Sequence, residues 1–267
     1  MVKKDLLQLN LQELPYFRAF LRAIEGRFYE DFEMPAPVLD LGCGDGSFAR
    51  ITFDQPLDVG IDPWTGPIHK AVKSGAYQVV IQGDGHQMPF SAEHFGSAIS
   101  NSVLEHIPDL QPVLEDTARV LKPGGMFYFC VPNHQFLPNL SIARFFDRLH
   151  LRSVANLYRK FFNRIARHYH CHDPETWTQM LGEAGFEVVG WWHYFSPQAL
   201  AVLEWGHYFG LPSAILHILF RKWIVAPAGW NLALTRKIVE NYFTEDPRTP
   251  EGTCTFYIAR KKSEPAA

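Results

Sequence analysis

A chain of 267 residues with a formal net charge of −3 is long enough to bury a large core and presents no global positive field for a nucleic-acid backbone. Its 47% hydrophobic and 14% aromatic content is that of a globular protein, and no uninterrupted apolar run reaches the length of an ordinary membrane span. Cys43, Cys130, Cys171 and Cys254 are scattered without a C-x-x-C pair, and Lys3-Lys4 leads into Asp5 rather than an apolar signal, so reduced thiols in a cytoplasmic setting are expected.

In chain order, Leu11, Leu14, Phe17, Phe20, Leu21, Ile24, Phe28 and Phe32 recur at helical spacing and predict an N-terminal amphipathic helix interrupted or started near Pro15. Pro35-Ala36-Pro37 ends it. A first strand, Val38-Leu39-Asp40, then runs into Leu41-Gly42-Cys43-Gly44-Asp45-Gly46, with glycines at alternate positions. Gly42 and Gly44 allow a sharp turn off a buried strand, and Gly46 is expected to leave room for a ligand at the next helix. Asp40 sits near the carboxyl end of its strand, where open α/β sheets bind ligands. Val59-Gly60-Ile61-Asp62 reads as a second strand ending in an acid, followed by Pro63. A third strand over residues 77–82 precedes Gly83-Asp84-Gly85, and a fourth from Phe95 ends near Asn101 and Ser102.

The glycine spacing alone leaves two cofactors open, because both NAD and S-adenosylmethionine present a ribose diol that Asp62 could receive. Asp40 separates them. A carboxylate in the turn is awkward beside a pyrophosphate and suits a ligand with a sulfonium and an ammonium. A short-chain reductase would also want a Tyr-x-x-x-Lys pair. The only such spacing, Tyr257/Lys261, falls on the last predicted strand.

Downstream come Leu104-Glu105-His106-Ile107-Pro108-Asp109, then Arg119-Val120-Leu121-Lys122-Pro123-Gly124-Gly125, and a fifth strand over residues 126–131. With these motifs in this order, residues 38–131 closely resemble class I S-adenosylmethionine-dependent methyltransferases. The nearest subgroup is the methyltransferase type 11 domain, which includes the ubiquinone and menaquinone enzymes. The resemblance resumes weakly at residues 174–189. It implies an α/β, Rossmann-like, seven-stranded and mostly parallel sheet, with a last strand antiparallel between strands five and six. It also implies S-adenosyl-L-methionine as cofactor, received by Asp40, Gly42, Cys43, Gly44, Gly46, Asp62, Pro63, Asp84, Gly85, Asn101 and Ser102. Asp62 would hold the ribose, Asp84 the adenine amino group, Asp40 the methionine end, and Asn101 and Ser102 would line the sulfonium pocket.

Asp173-Pro174-Glu175 predicts an N-cap with proline in the first helical turn. The helix ends at Gly185, a sixth strand covers residues 186–195, and the last covers 253–260. Helical insertions follow strand five and separate strands six and seven. The expected organisation is one structural domain. It comprises a helical cap (1–36), the cofactor-binding half (37–131), a lid insertion (132–172), a core helix with strand six (173–195), a second insertion (196–252), and the last strand and tail (253–267). In the first insertion Arg144, Arg148 and Arg152 repeat every four residues beside an apolar face, and the second carries Trp205, Trp223, Trp230 and Arg221-Lys222. Such elements suit a cover over a small lipophilic or lipid-linked acceptor, or peripheral contact with an anionic membrane. No nucleic-acid partner is expected, and the oligomeric state is open.

Methyl transfer needs no acid for its thioether leaving group, and needs a base only for a poorly ionised acceptor. His106, His170 and His172 are the candidates. His168, His170 and His172 stand too close together in sequence to wrap one ion easily, so no metal is expected. Two readings remain beside methyl transfer: an NAD(P)-dependent reductase, and a catalytically silent binding protein of the same fold.

Overall fold

The structure is a computed structural model that describes residues 4–209, 215, 218, 219, 223, 224 and 226–263. Arg221, Lys222 and most of residues 210–225 of the second insertion therefore lie outside the described residues.

Seven strands form one sheet: β1 (Val38–Leu41), β2 (Leu57–Asp62), β3 (Tyr77–Gln82), β4 (Phe95–Asn101), β5 (Leu121–Pro132), β6 (Phe186–Tyr194) and β7 (Cys254–Lys261). Their order is β3-β2-β1-β4-β5-β7-β6. The pairs from β3 across to β5 are parallel, and β7 runs antiparallel to β5, with Cys130 opposite Phe256. The sheet is thus the one the resemblance implied. Its strands are linked by α3 (Ser47–Thr52), α4 (Thr65–Ser74), α5 (Gln111–Val120) and α8 (Pro174–Glu183). The remaining helices are α1 (Leu6–Glu13), α2 (Tyr16–Phe28), α6 (Ser141–Arg148), α7 (Arg152–Ala166), α9 (Pro197–Phe209) and α10 (Gly229–Phe243).

β1 and β4 are buried along their whole length, as parallel strands covered on both faces must be. The buried hydroxyls of β4 are satisfied locally, with Ser97 donating to Pro35 O at 2.8 Å and Ser100 to Leu41 O at 3.0 Å. β5 begins at Leu121 rather than at Met126. A register shift against β4 between Phe95 and Ser97 absorbs Lys122-Pro123-Gly124-Gly125 within the strand, so these residues extend it instead of preceding it. In the core, Phe129 stacks on Tyr257 at 4.9 Å and meets Trp177 at 5.1 Å. The N-terminal helix is two helices. Pro15 lacks the N–H that a continuous helix would need, and Leu14 before it is extended at φ −120°. Asp173 caps α8 as expected, accepting from Thr176 N at 2.9 Å.

The chain divides into two compact units. A sheet unit comprises residues 32–134, 166–192 and 254–267, and a helical unit comprises residues 1–31, 135–165 and 193–253. The N-terminal helices and most of both insertions thus share the helical unit. There α2 packs on α1, α9 and α10, Phe20 meets Phe195 at 5.1 Å, and the Tyr194 hydroxyl donates to buried Glu25 at 2.8 Å. The two insertions are fastened by Glu204 of α9, which is fully buried. It accepts from Ser141 N and Oγ, both at 2.6 Å, from Ile142 N at 3.2 Å, and from the Tyr158 hydroxyl at 2.7 Å. One carboxylate thereby caps α6, where its charge complements the helix dipole, and holds α7.

Candidate functional site

The expected cofactor residues gather at the carboxyl ends of β1 to β4, all within the sheet unit. The turn after β1 is anchored on β2, since Gly42 N and Cys43 N both donate to Ile61 O, at 2.8 and 3.0 Å. Gly42 has φ +79°, and a Cβ there would lie 2.4 Å from the Val103 side chain, so only glycine fits. Gly44 differs. It has φ +55°, but a Cβ would meet nothing within 4 Å, which makes it the open face of the turn. Gly46 also has a positive φ, at +79°. A Cβ there would lie 2.6 Å from Ser74 Oγ and 3.2 Å from the Tyr77 ring, so this glycine serves the packing of α3 against α4 and β3.

Asp62 is buried and holds both loops. Its Oδ2 accepts from Gly44 N at 3.0 Å and its Oδ1 from Trp64 N at 2.9 Å. A carboxylate oxygen offers two lone pairs, so each can take a second donor. Pro63 O accepts from Gln82 Nε2 at 3.2 Å. Beside them Trp64, 71% exposed, presents an indole surface that the sequence reading passed over. Its signal was an aromatic directly after an acid-proline strand end.

Asp40 is also buried, and its Oδ2 accepts from the Tyr77 hydroxyl at 2.7 Å. Burial, and then the Asp40 charge, push the Tyr77 phenol far above its ordinary range. The Cys43 thiol is pushed up by burial and then by Asp40 and Asp62. Cys43 is therefore a protonated thiol in a negative local field. That field, made by two buried carboxylates around a backbone turn, fits a cationic ligand and opposes a pyrophosphate.

Asp84 lies exposed after β3 and is engaged within its own turn. It accepts from His86 N at 2.9 Å and contacts His86 Nδ1. The His86 N–H and ring hold the Asp84 carboxyl below its usual range, and Asp84 raises His86 in return. Gly85 packs closely on Val113 and Leu41. Asn101 is buried at the end of β4, and Ser102 follows with φ +51°, its N–H donating to Cys130 O at 3.1 Å. A non-glycine residue held in the left-handed region at this edge is the strain often found beside ligand sites.

The four histidines separate into two groups. His170 donates from Nε2 to Ile107 O at 2.8 Å, which leaves its Nδ1 to accept from His172 Nε2 at 3.1 Å. Burial, then His170, lowers the His172 pKa. These two latch their loop to the segment after β4. His106 is 42% exposed at its side chain and pairs instead with His168, with ring centroids 5.4 Å apart. Cys171 nearby is pushed up to about 12 by burial and then by Glu105.

The methyltransferase-domain family matches residues 14–190. The malonyl-[acyl-carrier protein] O-methyltransferase of Pseudescherichia vulneris is 33% identical over 110 residues, which are 41% of this chain and 44% of that protein. The demethylmenaquinone methyltransferase of Corynebacterium kroppenstedtii is 30% identical over 162 residues, 58% of this chain and 69% of that protein. The chain spans about half the length, or less, of several other curated relatives, among them the ubiquinone biosynthesis O-methyltransferase of Aliivibrio fischeri at 54% and a sterol 24-C-methyltransferase of Aspergillus fumigatus at 26%. Among solved structures, the [4+2]-cyclase SpnF aligns with a TM-score of 0.56 at 18% identity, over 91% of this chain and 81% of that one. Phosphoethanolamine N-methyltransferase 2 of Haemonchus contortus, in complex with S-adenosyl-L-methionine, aligns at 0.54 and 19%, over 92% and 53%. These two share the fold. With its motifs on the expected sheet edge and the family match running through them, the chain belongs to the S-adenosylmethionine-dependent methyltransferase family.

Proposed function

We propose that the protein transfers a methyl group from S-adenosylmethionine to a small lipophilic or lipid-linked acceptor by in-line displacement. The observation that carries the cofactor half is Asp62, clasped between Gly44 N and Trp64 N beside the open face at Gly44 and backed by buried Asp40. When bound, the cofactor supplies an activated methyl carbon. Asp62 receives the ribose hydroxyls, Trp64 offers a flat apolar surface, and the Asp40 field favours the ammonium. Asp84 takes the adenine amino group, and Asn101 and Ser102 border the sulfonium. Much of the acceleration then comes from alignment and exclusion of water.

The acceptor half rests on two supports. Relatives are named for malonyl-[acyl-carrier protein], quinone and sterol substrates. The helical unit also exposes apolar side chains flanked by Arg144, Arg148, Arg152, Lys160 and Arg164, a composition suited to an anionic membrane surface. No described helix is long and apolar enough to cross a membrane, so the contact proposed is peripheral.

The reductase reading loses its best residue. Tyr257 is fully buried against Phe129 and cannot meet a nicotinamide. A catalytically silent binding role gains nothing from the fold, which does not set chemistry.

Calorimetry decides the cofactor. S-adenosylmethionine or its demethylated product is expected to bind and NAD(H) is not. Asp62→Ala is expected to weaken binding by about 1–3 kcal/mol, the scale for lost hydrogen bonds to a charged group. Tight NAD binding indifferent to Asp62→Ala overturns the proposal.

A further inference from the structure

We propose that Glu105, His106 and His168 form a site for a divalent transition-metal ion. Each residue offers one ligand atom, and the three atoms lie within 4.8 Å of one another. Glu105 Oε1 and His106 Nε2 are 3.7 Å apart. A tetrahedral ion with bonds near 2.0–2.1 Å keeps its donors about 3.3 Å apart, so small side-chain rotations complete the set.

The surroundings preorganise it. His106 Nδ1 lies 3.0 Å from Arg167 O, a bond it can make only by donating its hydrogen. That fixes the tautomer and turns the Nε2 lone pair toward Glu105. A backbone carbonyl behind the ring is the usual outer partner of a metal-bound histidine. Arg167 presents that carbonyl from φ +57°, an unusual conformation for a side chain of its kind. Two further bonds hold the two segments in register: Tyr169 N donates to Glu105 O at 2.7 Å, and His170 Nε2 donates to Ile107 O at 2.8 Å. The Glu105 carboxylate is only 3% exposed while the His106 ring is 42% exposed, so the site has a buried anionic floor and an open mouth.

Two imidazoles and one carboxylate favour a transition-metal dication over magnesium or calcium, which prefer all-oxygen sets. Three protein ligands leave a position for an exogenous oxygen. The cluster follows Asn101 and Ser102 on the same connection after β4. Resting on the methyltransferase reading, the ion would serve an acceptor that is an oxygen nucleophile able to bind it. Its hydroxyl gives up its proton to water on binding. The oxyanion then forms the O–CH3 bond as the C–S bond breaks and the thioether leaves uncharged. The ion thus does what no general base need do.

The test uses the full chain, purified without a histidine tag and stripped with chelator. Cobalt(II) titration is expected to give visible d–d absorption saturating at one equivalent, and zinc to displace it. Glu105→Gln, close in shape to the wild type, and His168→Ala are each expected to weaken cobalt binding at least about 100-fold with unchanged circular dichroism. His69→Ala, at an exposed position of α4, leaves it intact. No saturable binding by the wild type, or full binding by both Glu105→Gln and His168→Ala, overturns the site. Calorimetry with S-adenosylmethionine on the stripped protein separates the two readings. Metal binding without cofactor binding sinks the methyltransferase reading and leaves the site standing. Cofactor binding without metal sinks the site alone.

Discussion

Among the described residues, sixteen of the large apolar side chains left exposed belong to the helical unit and six to the sheet unit. On α7 alone Val154, Leu157, Phe161 and Ile165 form an exposed row at helical spacing, Leu157 at 68%, while Ala155 and Phe162 are buried. The sheet unit does the reverse. It buries β1 and β4 completely and confines its expected ligand residues to strand ends and turns at one edge. The difference is one of where each unit leaves its functional groups on offer. The sheet unit offers backbone turns and buried carboxylates, and the helical unit offers an apolar and basic surface.

The largest test strikes the fastening of the helical unit. Glu204→Ala strands the N–H groups of Ser141 and Ile142, leaves the Tyr158 hydroxyl only Tyr208 as partner, and puts about one to three kcal/mol at stake for each stranded group. A loss of at least about 3 kcal/mol in denaturant stability is expected. A loss below about 1 kcal/mol would mean that the insertions are not held by this carboxylate.

Next in size is the membrane half of the contrast. Each arginine near an anionic surface contributes on the order of 1 kcal/mol, so replacing Arg144, Arg148 and Arg152 together by Gln is expected to reduce vesicle partitioning about 100-fold. Flotation with anionic liposomes should be strong at low salt, weaker at high salt, and absent for the triple variant. Wild type that stays in solution at low salt breaks this side of the comparison and leaves the exposed row without its proposed occupant.

The smallest effect sharpens the comparison, because each unit contributes one histidine. Burial lowers the pKa of His172 in the sheet unit and of His207 in the helical unit below the ordinary 6.5. Below pH 6.5 the unfolded chain therefore takes up protons that the folded chain refuses. The stability these groups contribute is complete above about pH 6.5 and is lost as pH falls through their folded values. Denaturant stability should decline shallowly from pH 7 toward pH 5, and His172→Asn and His207→Asn should each flatten the decline. Stability that rises over that interval contradicts the sign.

Much of the sheet unit was legible because its signals are local. Residues 77–82 match β3, Asp173 caps its helix, and the last strand lies where the resemblance put it. Errors arose where a local signal has a distant cause. Lys122-Pro123-Gly124-Gly125 reads as a segment before the fifth strand, but pairing with β4 keeps it in the strand. The site after β4 was least legible. The alternation of His168, His170 and His172 drew attention to a cluster within one loop, whereas His106 and His168 meet across sixty residues of chain. Glu204 is similar, an ordinary helix acid until α6 is placed against it.

The position of β7 has a consequence for biosynthesis. It lies between β5 and β6, so those strands have no partner on their facing edges until the final strand, Cys254–Lys261, has left the ribosome. Throughout synthesis of residues 193–253 the nascent chain carries two open edges, each a template for pairing with another chain. Completion of the sheet waits on that strand, and until it arrives both edges need shielding from neighbours. A premature stop a dozen residues before Lys261 would remove the piece that joins the two halves of the sheet. Carrier sequences fused at the amino terminus leave that closing step untouched, whereas a bulky fusion directly after Lys262, whose N–H donates to Gly185 O at 2.9 Å, would obstruct it.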